Sequence, residues 1–157
     1  MTEVQRIIDQ LERAMNGPAW HGPSLCEILS GVSPSSANTV SLKGAHTIWE
    51  ILLHVIAWIR IGRLRIDSAQ PAVDPDEKED WPQVEDTGEV AWAHVMSRLR
   101  EEHKSLLKSI SRVSDSDLSR IVVGKEYNVY FLLHGIAQHN LYHAGQIALI
   151  KSLLIKR

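Results

Sequence analysis

His139 and His143 stand four residues apart in HNLYHAGQIALIK, residues 139–151, a stretch otherwise mostly apolar. A helix turns about 100° per residue, so the two imidazoles lie about 40° apart on one face, one turn from each other. Leu132, Ile136 and Ile150 fall on the same stripe, the stripe an amphipathic helix turns toward its core. An inward-facing neutral imidazole needs partners for both ring nitrogens. One reading is a hydrogen-bonded pair of core histidines. The other is a cation that takes one nitrogen from each ring.

A third histidine strengthens the second reading. His54 lies in IWEILLHVIAWI, again on an apolar stripe, with Ile51, Trp58 and Ile61 beside it on the wheel. Three core-facing histidines on two long helices can meet at one depth of a bundle. Three imidazoles with an open fourth position suit a divalent metal, and Zn, Ni, Fe or Co would all accept them. Other metal sites fail on spacing. H-E-x-x-H is broken by Asn140, and no histidine has a glutamate three residues before it. Glu50 is the one carboxylate placed for a two-histidine, one-carboxylate site, but Thr47 three residues earlier marks it as half of a helix capping box.

The remaining candidates divide by position. His21 beside Trp20 and His46 before Thr47 sit in loops that could line a pocket. His134 is about 140° from His139 and faces elsewhere. His94 and His103 read as surface or half-buried positions. Gln146 lies about 20° from His139 on the wheel and could orient a ligand or make a helix-packing hydrogen bond. Trp20, Trp49, Trp58 and Tyr142 are candidate pocket walls, and Cys26 reads as a buried structural cysteine.

Four long helices must carry these side chains. Val4, Ile7, Ile8, Leu11 and Met15 recur at helical spacing from Thr2 to Asn16, where Asn16-Gly17-Pro18 stops the run. A short helix fits Ser24 to Leu29. The second long helix starts at Thr47 and runs to about Ala69. QPAVDPDEKEDWPQVEDTG then reads as a surface connection. The third long helix covers Glu89 to Val113, and the fourth runs from Tyr127 to Leu154. Between them Ile121-Val122-Val123 could form a short extended piece. The expected architecture is an all-α four-helix bundle in one domain, residues 1–157.

Composition excludes several classes. The 157 residues carry a formal net charge of −2, which argues against a general nucleic-acid binder. Two basic clusters, Arg60, Arg63 and Arg65, then Lys156 and Arg157, fit a solvated helix face. The one cysteine permits no internal disulfide. No apolar run reaches the ~18–20 residues of a membrane span. MTEVQRIIDQLERAMN is no secretory signal, so a cytoplasmic protein without membrane association is expected.

HTIWEILLHVIAWIR and HGIAQHNLYHAGQIALIKSLL together resemble the DinB / YfiT-like family. The family's signature is a histidine early in the second helix, then H-x-x-x-H followed by G-Q-[IL] in the fourth. Here these are His54, then His139 and His143, then Gly145-Gln146-Ile147. AWHGPSL is similar to a recurrent feature of one branch. The resemblance implies an up-down-down-up four-helix bundle, a three-histidine divalent metal site and a homodimer. Many relatives carry Asp where this chain has Asn140, a change that bears on contacts around the ligands or with a dimer partner. Relatives include thiol-dependent transferases and a maleylpyruvate isomerase. They imply a small-molecule substrate, a low-molecular-weight thiol, and a metal that activates thiol or water toward a small electrophile. The alternative is a non-catalytic module that binds metal and a small molecule. Action on DNA finds no support in these residues.

Overall fold

The computed structural model describes residues 1–41 and 43–155. All regular structure among them is helical: α1 Glu3–Asn16, α2 Leu25–Leu29, α3 Pro34–Ala37, α4 Ile48–Asp67, α5 Glu77–Asp80, α6 Glu89–Ile110, a 3-10 turn Asp115–Ser119, and α7 Val129–Ile155. The four long helices fall where apolar periodicity puts them. The small ones, α3, α5 and the 3-10 turn, are too short for periodicity to signal.

Helix α4 is central. Thr47 and Glu50 form the expected box: the Thr47 N–H donates to Glu50 Oε2 at 2.7 Å, and the Glu50 N–H donates to Thr47 Oγ1 at 3.2 Å. Ile48, Trp49, Ile51, Leu52, Leu53, Val55, Ile56 and Ile59 are all buried, on every side of the helix. A helix apolar all round must be surrounded, and α4 packs on α6 along one flank and α7 along another. The α4–α7 crossing is close at Gly62, where any Cβ would run into the Ile136 side chain. That approach brings the histidine stripes of the two helices together.

The outer helices are tied by polar contacts at their ends. Helix α1 buries Val4, Ile7, Leu11 and Met15 and packs on α7 and α6. Asp115 accepts the Glu3 and Val4 N–H groups at 3.0 Å each, and these bonds hold its carboxyl below the usual range. Lys151 on α7 donates to the carbonyls of Ile28 and Ser30 at 2.8 and 2.7 Å, holding the free end of α2 against α7. Ser109 on α6 donates to Asp67 at the end of α4 at 2.7 Å.

Two expectations are corrected. Arg65 is not on a solvated face: it is buried, donating to the Tyr127 hydroxyl at 2.9 Å and to Asp74 at 3.0 Å. His103 is neither at the surface nor half-buried. It is 3% exposed, because it follows Leu99 by four residues and precedes Leu106 by three, both of which are fully buried. Of the two basic clusters, Arg60 is exposed, while Lys156 and Arg157 lie outside the described residues. Ile121 makes only an isolated bridge to Asn128. Among the described residues no helix is long and apolar enough to cross a membrane.

Candidate metal centre

His54 comes from the middle of α4, His139 and His143 from the middle of α7. Their Nε2 atoms converge. Nε2 of His139 is 3.1 Å from Nε2 of His54 and 3.1 Å from Nε2 of His143. One ligand atom from each ring lies within 4.8 Å of the others. His54 and His143 are buried and His139 is partly buried.

The outward-facing nitrogens decide what the inward-facing ones can do. His54 Nδ1 is 2.7 Å from the carbonyl oxygen of Asp80. A carbonyl only accepts, so Nδ1 carries the proton and Nε2 is left with a free lone pair. His143 Nδ1 stands 2.7 Å from Gln146 Oε1, with the same consequence. His139 Nε2 therefore faces two lone pairs and has at most one proton to offer them. Hydrogen bonds among the three rings leave at least one lone pair unmet, whereas a cation meets all three. Two nitrogens bound tetrahedrally at ~2.0–2.1 Å stand about 3.3 Å apart, close to the separations found here. His139 Nδ1 is buried without a hydrogen-bond partner among the described residues.

All three rings are kept neutral. Burial pushes His139 down to about 3, helped by repulsion from His143 and His54 in their charged forms. Burial also lowers His54, against the opposing pull of Asp80, and lowers His143, against the hydrogen bond to Gln146. A neutral imidazole is the form that ligates.

One part of the site was not foreseen. The connection after α4 is more than a surface loop, because its Asp80-Trp81 corner reaches the cluster. The Asp80 carboxylate lies 3.2 Å from His54 Nδ1 and accepts from Trp58 Nε1 at 2.6 Å. Trp81 stacks on His54, with ring centroids 3.9 Å apart and planes 10° from parallel. Its other face stacks on His46 at 3.7 Å. The one sequence signal was a tryptophan inside an acidic, proline-rich segment.

The other candidates separate. Glu50 serves its cap. Gln146 orients His143. His46 joins the site through Trp81, while His21 is exposed and is not one of the three grouped histidines. Trp58 walls the site and Tyr142 touches the edge of His143 at 5.0 Å between centroids. Trp49 instead packs on Trp92 in the core, and Trp20 is fully exposed. His134 pairs with Tyr130. Cys26 packs half-buried against the core, its thiol pushed up by burial. Asn140 is buried, and among the described residues its amide has no hydrogen-bond partner.

Neither the curated proteins nor the solved structures yielded a match to this chain. The sequence model of the DinB superfamily matches residues 20–147, most of the chain and all three clustered histidines, and the protein belongs to that superfamily.

Proposed function

We propose that His54, His139 and His143 hold one divalent metal ion, and that the protein is a metal-dependent enzyme acting on a small electrophile with a thiol or water as nucleophile. The observation that carries this reading is the convergence of three Nε2 atoms, two of them stripped of protons by their Nδ1 bonds to Asp80 and Gln146. Superfamily membership supports the same reading. So do the packing partners of α1, α4, α6 and α7, which suit an up-down-down-up four-helix bundle forming a single domain.

A divalent cation held by His54, His139 and His143 would lower the pKa of a coordinated thiol or water and would supply a nucleophile near neutral pH. The chain's own residues do the rest. Asp80 and Gln146 fix ring orientation and tautomer, as outer partners of metal-binding histidines commonly do. Trp81 lies flat against His54 and excludes water from one side of the cluster, and Trp58 covers another.

Elemental analysis of the purified protein tests the centre. About one divalent ion per chain is expected, lost in His54→Ala and in His139→Ala. A thiol-transfer screen on the loaded protein, with a model electrophile, tests the activity. Tight metal binding without turnover in any thiol or hydrolysis assay identifies a non-catalytic binding module; protein without metal refutes the centre.

A further inference from the structure

A cavity of about 590 Å³ opens between α4, α7 and the 124–127 turn. That volume is typical of small-molecule sites. His139 lines one end, and Trp58, Phe131, Leu132 and Ile136 give it apolar walls. Arg65 and Lys125 make the other end cationic. Both donate to the same oxygen, Oδ1 of Asp74.

This ion triad is lopsided. The Arg65 and Lys125 side chains are 7% and 13% exposed, whereas the Asp74 side chain is 76% exposed. Two desolvated cations thus share a single oxygen of a carboxylate that stays largely in water. Among the described residues the Arg65 Nε is buried with no partner, although a guanidinium can take a carboxylate with two parallel bonds. Tyr127 and the face of Trp58, whose centre is 5.4 Å from the Arg65 carbon, hold the guanidinium in place. Glu126 adds a second carboxylate to the rim, but it is exposed and its field is screened by solvent.

We propose that this cavity is the substrate subsite, and that it takes a small molecule bearing one carboxylate on an apolar, ring-sized body. Arg65 and Lys125 bind that carboxylate in place of Asp74, which occupies the cations when the cavity is empty. The ring lies against Trp58, Phe131 and Ile136, and the far end of the molecule meets the histidine cluster at His139. The subsite rests on the proposed metal centre only for what happens at that far end.

Isothermal titration calorimetry with 1-naphthylacetate and its neutral amide tests the proposal in metal-stripped and metal-loaded protein. The acid is expected to bind at least ten-fold more tightly than the amide in both. Lys125→Gln is expected to weaken the acid about ten-fold and leave the amide unchanged. Asp74→Asn removes the competing carboxylate and is expected to tighten the acid several-fold. A purely structural ion triad predicts no gain from Asp74→Asn. Equal affinity for acid and amide, or an Asp74→Asn variant that binds the acid no better than the parent protein, overturns the subsite. Metal content measured on the same samples keeps the two readings apart: carboxylate preference without metal binding sinks the centre and leaves the subsite standing.

Discussion

The carbonyl oxygen of Asp80 stands 2.7 Å from Nδ1 of His54, and the same residue's carboxylate stands 3.2 Å from that nitrogen. The last residue of α5 therefore holds an α4 imidazole twice, and its carboxylate is itself held by Trp58 Nε1 at 2.6 Å. The carbonyl sets the tautomer, and the negative charge raises the basicity of the ring.

Asp80→Ala keeps the carbonyl and removes the carboxylate. Loss of such a partner commonly weakens metal binding by roughly 10–100-fold. The lower end is expected here, because the carbonyl remains. Chelator competition on the purified variant reads the change; an affinity equal to the parent protein's would show that the carboxylate serves only the Trp58 contact.

Gln146 offers a second handle on the same property. It accepts from His143 Nδ1 at 2.7 Å, an i to i+3 contact along α7. Gln146→Ala leaves that N–H unpartnered in a mostly buried position and is expected to weaken metal binding about ten-fold. Gln146→Glu keeps the acceptor and adds charge, so it is expected to bind metal at least as tightly as the parent. The reverse order of the two variants would contradict an orienting role.

The positions that could be read from the sequence share one feature: each lies on a long helix whose apolar spacing sets its direction. His54, His139 and His143 follow from that spacing, as does the Thr47–Glu50 cap. Arg65 was legible too, since it follows Trp58 by seven residues, about 20° short of two full turns, and so shares its face. Read as a charge run, however, it looks like Arg60 and Arg63. Asp80 and Trp81 were not legible. Asp80 ends α5, which is one turn long and too short to show a period, and Trp81 caps it; the depth to which this connection folds back depends on packing that no local pattern encodes. The wheel set Gln146 beside His139, but the side chain bonds to His143, because helical side chains lean toward the preceding turn.

His103 makes stability depend on pH. It is buried on α6, both ring nitrogens lack hydrogen bonds among the described residues, and Glu12 Oε2 lies 3.7 Å from its Nε2. Burial lowers its pKa, more than the attraction of Glu12 raises it. The unfolded chain therefore takes up this proton first as pH falls. The stability tied to the neutral ring is full above the ordinary value of about 6.5 and is lost as pH falls from there toward the lower folded value. His103→Leu removes the group. Its unfolding free energy between pH 7 and 5 is expected to fall less steeply than the parent's, by up to about 1.4 kcal/mol per pH unit. At pH 7.5 the variant is expected to gain about 1 kcal/mol, since an unsatisfied buried polar group is removed. Parallel pH profiles for the two proteins would refute the assignment.

Metal should also couple to folding through the same three rings. An ion that binds the folded chain and not the unfolded one adds about 2.7 kcal/mol at a free concentration 100 times its Kd. Thermal unfolding of the stripped protein, titrated with Zn²⁺, is expected to show a transition that rises with metal concentration and follows that logarithmic law. His54→Ala removes one of three ligands from a buried cluster, and the remaining two rings come from a single helix. Its unfolding transition is expected to be nearly insensitive to Zn²⁺, while Glu50→Gln, which keeps the Thr47 cap, is expected to respond like the parent. If His54→Ala gained as much as the parent, the stabilising ion would be bound somewhere other than between α4 and α7.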